Sequence, residues 1–308
     1  MDSSGHYTIV NNIIKSKTSS LLSDDAGAAV TLVSQCSVNH LHHVLDLANS
    51  WQGPISVALF ALEQQIKSTV GLISKLMECR ADVLNSVSLH LIFKLAQPTK
   101  KLDLNSHISV YEEMCNDIHQ VLESQSSVAA NYAWKDVSYP TNLLRNVALK
   151  NAASSHVLVI DIDMLPSHSL YYSLAGFLNN FSRSENNSGG QVAFVVPAFE
   201  IKNSVDIPRS KKDLLDLWRR KDVRPFYEEL CWKCQRHTNY SYWKDLVSTE
   251  LLHVGYAAEW KDPWEPFYVV PKSAPTYDER FMQYGFNRIS QVIILYAETS
   301  PSAQHSSS

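Results

Sequence analysis

Hydrophobic positions along the chain switch between a spacing of two and a spacing of three to four, and the order of the switches predicts an architecture. The run AAVTLVSQ from Ala28 is short, apolar and β-rich; VNHLHHVLDLANSW after it places Val38, Leu41, Val44, Leu45 and Ala48 at helical spacing. Gly53-Pro54 interrupts the pattern, ISVALFAL reads as a second buried strand, EQQIKSTVGLISKLMECR returns to a helical period, and VSLHLIF is a third strand. Such alternation predicts an α/β domain whose mostly parallel sheet carries helices on its faces.

Residues 96–130 are polar and mixed, with a helix expected over EEMCNDIHQVLESQ. Pro140 and Thr141 open a further helix with an apolar stripe of Leu143, Leu144, Val147 and Ala148. HVLVIDIDML follows as a buried strand running into acids, and Ser167 is placed to cap the next helix. SRSENNSGG reads as a surface turn and QVAFVVPAFEI as another strand. Residues 202–250 carry only local helices, and 256–290 are too polar for pure core and too aromatic for pure loop. The polar residues 1–27 are expected to be a mobile arm and 293–308, ending in AETSPSAQHSSS, a disordered tail. The folded domain is therefore expected over 28–292.

Composition narrows the function. A chain of 308 residues with 45% hydrophobic and 19% charged residues buries a large core, which excludes global disorder. Its net charge of −4 supplies no basic field for gripping nucleic acid. No apolar run approaches the roughly 18 residues of a membrane span, and the N-terminus has no signal-peptide core. Three N-x-S sequons, at Asn180, Asn186 and Asn239, point the other way, towards a secretory chain. Five cysteines leave at least one thiol unpaired. Cys231-Trp232-Lys233-Cys234 has the spacing of a zinc half-site but no second half, so it reads as a disulfide or two buried thiols. His40, His42 and His43 look like a metal cluster, yet neighbouring positions diverge around a helix and read as ordinary buried or surface residues.

The chemistry centres on Asp161-Ile162-Asp163. At strand period the two carboxylates share one side, and at the C-terminal end of a parallel strand they can hold one hard cation against a diphosphate. One turn apart on the preceding helix, Asn142 shares a face with Arg145 and Asn146, and an arginine there suits an anionic diphosphate or carboxylate. Four acids compete for the part of a general base: Asp262, Glu265, Asp278 and Glu279.

YPTNLLRNVA, VLVIDIDMLPS, AFVVPAFEI, VRPFYEELCWKC, TNYSYW, DPWEPFYV and YDERFMQYGFNRISQ occur in an order and spacing that resemble the dystroglycan glucuronyltransferases, glycosyltransferase family 49. That family is similar to the second catalytic domain of LARGE-type glycosyltransferases. The resemblance spans about residues 28–292. It implies a GT-A, Rossmann-like fold, a UDP-glucuronate donor, Mn²⁺, a xylose-terminated glycan acceptor in O-mannosyl glycan synthesis on α-dystroglycan, and inversion at the transferred carbon. A LARGE-type transferase is an implied partner.

Carried over, Asp163 is the expected direct metal ligand and Asp161 lies between metal and ribose, with Asn142, Arg145 and Asn146 on the donor side. Asp278 and Glu279 are the expected base pair. Trp264, Glu265 and Phe267 are expected at the acceptor, with the aromatic rings stacked on sugar. The resemblance also implies a Golgi membrane or lumen enzyme held by a type II signal-anchor. The family's anchor and its late H-K-G-F-K histidine have no match here, so the expectation is a domain trimmed at both ends, with a catalytically inactive, glycan- or partner-binding remnant as the alternative.

Overall fold

The computed structural model describes residues 2, 5–17, 29–94, 115–128, 137–183, 192–249, 251–283, 285 and 287–299. Its elements in chain order are β1 (Thr8–Ile14), β2 (Val30–Ser37), α1 (His43–Trp51), β3 (Ile55–Ala61), α2 (Ile66–Cys79), α3 (Ala81–Leu84), β4 (Val87–Phe93) and α4 (Ile118–Val128). After these come α5 (Thr141–Lys150), β5 (His156–Val159), α6 (Leu170–Arg183), β6 (Phe194–Val196), β7 (Phe199–Ile201), α7 (Lys211–Arg219), β8 (Val223–Pro225), α8 (Glu228–Gln235), α9 (Tyr240–Asp245), β9 (Phe267–Pro271) and α10 (Ile289–Thr299).

Seven strands form the central sheet in the order β1-β4-β3-β2-β5-β9-β6, and β7 pairs with β8 in a small second sheet. The pairs β4-β3, β3-β2 and β2-β5 are parallel, while β1 and β9 run against their neighbours. Five of the seven strands thus share a direction, the mostly parallel α/β arrangement expected of a GT-A domain. Strand period divides the core between the two faces. Ile55, Val57 and Leu59 of β3 pack with Leu45, Trp51, Ile73 and Leu76 of α1 and α2. Ala58 and Phe60 pack instead with Leu144, Val147 and Ala148 of α5. Both faces of β3 and β4 are buried throughout, which is why their sequences read as continuous apolar runs. At the end of α1, Gly53 meets the ring of Tyr171 so closely that an added Cβ would lie 2.4 Å from it, so only glycine fits.

The expected arm and tail both contribute structure. Thr8–Ile14 is an antiparallel edge strand on β4, with a register shift between Val10 and Ile14. The backbone N–H of Asn12, at the shift, donates to His90 Nδ1 at 3.0 Å. The ring proton therefore sits on Nε2, 3.1 Å from Ser56 Oγ, and the Ser56 hydroxyl donates to the Ala148 carbonyl at 2.7 Å. This row stitches the edge strand, two central strands and α5 together, and burial pushes the fully enclosed His90 down to about 4. Residues 289–299 are helical where a tail was expected from 293, because Val292 and Leu295 are buried against the α5 face. Positions 300–308 lie outside the described residues.

Cys79 and Cys115 are joined, as are Cys231 and Cys234, and Cys36 is a buried free thiol. The Cys79–Cys115 bridge ties the end of α2 to the start of α4, whose Ile118 and Leu122 enter the core. α4 starts later than expected, and 111–114 lie outside the described residues. Asn180 and Asn239 are exposed, while Asn186 lies outside the described residues. Among the described residues no helix is long and apolar enough to cross a membrane.

Candidate active site

β5 stops at Val159, one residue short of the acids. Ile160 keeps bonding to β2, its N–H donating to Val33 O at 3.1 Å and its carbonyl accepting from Ser34 Oγ at 2.9 Å. The chain then turns, with Met164 N–H on Asp161 O at 3.1 Å. The expectation that strand period aligns the two carboxylates is corrected here, because Asp161 and Asp163 stand in a turn. Asp163 is exposed and electrostatically within reach of His40, whereas Asp161 faces two buried arginines.

Those arginines are Arg145 on α5 and Arg288 on the turn into α10. Arg145 donates to Asp161 Oδ1 at 3.3 Å, and Arg288 donates to the same oxygen at 2.7 Å. Arg145 also reaches Asn142 Oδ1 at 3.1 Å and Asn287 Oδ1 at 3.0 Å, and lies over the ring of Tyr277. Arg288 lies 4.1 Å above the centre of the Phe267 ring. Desolvation opposes a charge on Asp161, but the two guanidiniums outweigh it and hold the carboxyl below its ordinary range. The local pattern around Arg288 carries no sign of an acid 127 positions away.

The polar face of α5 is not open to a donor along its length. Asn142 is fully buried and its Nδ2 donates to the carbonyls of Asp278 at 2.8 Å and Asn287 at 3.0 Å. Asn146 exchanges bonds with Tyr277, its Nδ2 on the carbonyl at 2.8 Å and its Oδ1 accepting from the N–H at 2.9 Å. The same Nδ2 reaches Glu279 Oε1 at 2.9 Å. The face expected to grip nucleotide is thus an anchor for residues 277–288, and Arg145 carries it through to Asp161. These bonds bring Asp278 and Glu279 to the N-terminal half of α5, but in different states. Asp278 accepts from Arg280 Nε at 2.9 and 3.0 Å and from its Nη2 at 2.5 Å, which draws its pKa down to about 2. Glu279 lines a cavity of about 410 Å³ with Tyr7, Lys94, Leu143 and Arg280.

Glu265 lies within the field of the same cluster. Burial raises its pKa, Arg288 and Arg145 oppose that rise, and Asp161 reinforces it. Its backbone is fixed by α8: Glu265 N–H donates to Cys234 O at 2.8 Å, and Gln235 Nε2 donates to Glu265 O at 2.7 Å. Trp264 and Phe267 depart from the expectation of rings stacked on an acceptor. Both are buried, Trp264 with its indole N–H on Thr238 Oγ1 at 3.0 Å and Phe267 beneath Arg288, because the apolar strand β9 draws its flanking aromatics inward. Asp262 is exposed.

His40, His42 and His43 do gather, with ring centres 4.0 to 6.3 Å apart, and His119 of α4 joins them 6.1 Å from His42. His119 Nε2 meets Asp46 Oδ1 at 3.1 Å. Burial and the adjacent imidazoles push His42 down to about 4. Among the described residues no group of three or more His, Cys, Asp or Glu side chains is placed to hold a metal ion.

A mostly parallel sheet whose fourth parallel strand runs into paired acids, backed by buried arginines, is the frame of a GT-A glycosyltransferase. The family described as glycosyl-transferase for dystroglycan matches residues 29–298, and the chain belongs to it. β-1,4-Glucuronyltransferase 1 of Danio rerio is 39% identical over 303 residues, spanning 96% of this chain and 69% of the relative. The Homo sapiens protein of that name is 36% identical over 302 residues with the same coverage. LARGE2 of Mus musculus, a xylosyl- and glucuronyltransferase, is 30% identical over 274 residues, covering 87% of this chain and 32% of its own length. The enzyme class is therefore that of the glucuronyltransferases.

Proposed function

We propose that the chain transfers glucuronate from UDP-glucuronate to a xylose-terminated glycan acceptor, with inversion and with Mn²⁺, in O-mannosyl glycan synthesis on α-dystroglycan. The observation that carries this reading is the carboxylate of Asp161 held ionised between Arg145 and Arg288 at the C-terminal end of the parallel sheet. Kinship with the glucuronyltransferases supports the donor, and the sequence resemblance supports the acceptor.

The donor set fits a hard divalent cation. Asp163 is exposed at the turn, and Asp161 keeps one oxygen without a hydrogen bond among the described residues. Asp163 is the better ligand, since the Asp161 charge is already shared between two guanidiniums. Asp163, with Asp161 beside it, would hold the ion. Bound there, the ion would supply Lewis-acid neutralisation of the departing diphosphate.

The residues of the chain divide the other tasks. Arg145 and Arg288 add positive potential where the diphosphate charge grows, beneath a loop pinned by Asn142 and Asn146. Of the expected base pair, Glu279 is the stronger candidate. Asp278 is stabilised as a carboxylate by Arg280 and is a poor proton acceptor, whereas Glu279 lines a cavity and is oriented by one amide. Glu265, whose pKa is raised, suits hydrogen bonding to acceptor hydroxyls. Two disulfides and two exposed sequons favour an oxidising, Golgi-lumenal setting. Assaying the chain with a panel of UDP-sugars, Mn²⁺ and a xyloside tests the proposal. Selective transfer from UDP-glucuronate is expected; transfer from another UDP-sugar in preference, or from none, refutes it.

A further inference from the structure

Residues 251–266 have neither helix nor strand, yet Glu265 near their end stands within the field of Arg145, Arg288 and Asp161. Its backbone takes its order from α8 and the turn after it. Glu265 N–H donates to Cys234 O at 2.8 Å, Gln235 Nε2 donates to Glu265 O at 2.7 Å, and the Trp264 indole N–H donates to Thr238 Oγ1 at 3.0 Å. α8 is not a continuous helix, however. Its backbone leaves helical geometry at Cys231, with φ −154° and ψ 71°, so helix hydrogen bonding does not fix 232–235 against the first half. The Cys231–Cys234 disulfide spans that break. With a sequence separation of 3, against 36 for Cys79–Cys115, it removes much less entropy from the unfolded chain and is the weaker staple of the fold. What it constrains is local: the carbonyl of Cys234, on which Glu265 hangs.

We propose that the Cys231–Cys234 bridge and Gln235 are positioning groups for the acceptor site: together they set the backbone of Glu265, and through it the reach of its carboxylate towards an acceptor hydroxyl. Gln235 is 4% exposed and is itself held, its Oε1 accepting from Thr238 Oγ1 at 3.4 Å, so the residues that grip 264 and 265 are tied to one another. A binding group loses affinity when the shell that orients it loosens, because a hydrogen bond weakens steeply as its distance and angle drift. Freedom at 234–235 is therefore felt at the carboxylate as weaker acceptor binding. The donor side does not share these tethers. Arg145 and Arg288 reach Asp161 from α5 and from the turn into α10, and neither bond passes through α8. Opening the bridge should act on the acceptor and spare the donor. The inference rests on the acceptor reading of Glu265 and gives the Cys231-Trp232-Lys233-Cys234 motif a part in it.

The test is steady-state kinetics with UDP-glucuronate and a xyloside acceptor, with calorimetric binding of UDP as the donor-side control. The full chain is compared with Glu265→Gln, Gln235→Met and Cys231→Ser/Cys234→Ser, and with the last two each combined with Glu265→Gln; Cys79→Ser/Cys115→Ser is the control bridge. Glu265→Gln is expected to raise the acceptor KM about tenfold, the worth of one charge-assisted hydrogen bond, with UDP binding unchanged. Cys231→Ser/Cys234→Ser and Gln235→Met should each raise the acceptor KM about three- to tenfold with kcat held within about twofold, and neither should add to Glu265→Gln in the combined forms. Opening the Cys79–Cys115 bridge should lower the melting temperature more and leave the acceptor KM alone. Folded Cys231→Ser/Cys234→Ser with the wild-type acceptor KM, or with an effect that multiplies with that of Glu265→Gln, overturns the proposal. Should that variant fail to fold, Gln235→Met decides: a wild-type acceptor KM overturns the proposal, and a raised KM that Glu265→Gln absorbs supports it. An unchanged acceptor KM in Glu265→Gln overturns the proposal while leaving the transferase reading intact. No transfer to the xyloside by the wild type overturns both.

Discussion

Two polar clusters stand at the C-terminal edge of the same sheet and are built on opposite terms. Around Asp161, charged groups are buried and their buried polar atoms find partners; around His42, imidazoles crowd together and His42 Nδ1 is left buried without a hydrogen bond among the described residues. The difference follows from what each site must hold. A buried charge without a partner costs several kcal/mol, so Arg145 and Arg288 exist in the core only because Asp161, Asn142 and Asn287 receive them. An imidazole can shed its proton instead, and the fall of His42 to about 4 is that escape. The first cluster balances charge across the turn after β5, and the second seats α4 against α1.

The sharpest break between them is chemical. Replacing Glu279 by Gln, in the loop that Asn146 pins beside Arg145, should lower turnover roughly 10²–10⁴-fold with donor affinity nearly unchanged. Asp278→Asn, with its carboxylate already occupied by Arg280, should cost less than about tenfold. Steady-state kinetics of both variants check the assignment, and the reverse ranking would return the base to Asp278. Next in size, Arg145→Met should cost about 3–5 kcal/mol of unfolding free energy, since it strips Asp161 of one partner and leaves Asn142 and Asn287 underbonded. Urea denaturation measures it, and a loss below about 1 kcal/mol would mean the clamp adds little to stability.

The histidine side sharpens the contrast through pH. His42 and His90 fall from 6.5 to about 4 on folding, so protons bind the unfolded chain more readily. Their stabilisation is complete above pH 6.5 and is lost as the pH drops towards 4, up to roughly 3 kcal/mol for a group that moves this far. Asp161, depressed rather than raised, keeps its contribution until the pH falls below the ordinary aspartate range. Thermal melts from pH 7 to pH 4 should therefore decline before Asp161 titrates, and a His42→Phe/His90→Gln variant should flatten the decline. The smallest effect belongs to the rim: His119→Ala removes a partly exposed pair with Asp46 and should shift stability by about 0.5 kcal/mol.

The contrast also marks what the chain discloses about itself. β2, β3 and β4 were legible because burial on both faces writes an uninterrupted apolar run, and α5 because Leu144, Val147 and Ala148 repeat along one face. The acids of Asp161-Ile162-Asp163 were legible because an apolar strand empties into them. Arg288 was not, since its partner is 127 positions away, and neither was the anchoring duty of Asn142, whose bond to Asn287 spans 145. Local pattern shows which side chains are polar and leaves open which distant segment will cover them. Trp264 and Phe267 illustrate the same limit: an aromatic beside an acid looks identical in sequence whether its ring faces a sugar or an arginine.

The stitch through His90 has a consequence for the sheet's outer rim. β4 is an apolar strand whose free edge is covered by β1, and Asn12 fastens that cover to an imidazole that accepts its N–H. A second proton on the ring would turn that acceptor into a donor facing a donor. Acid would then work as a latch release, lifting the cover and baring a row of unpaired N–H and C=O groups beside VSLHLIF, the template on which chains add to one another strand by strand. Light scattering near pH 4 should rise earlier for a chain lacking residues 1–14 than for the intact one; coincident curves would show that the first strand is no sheath.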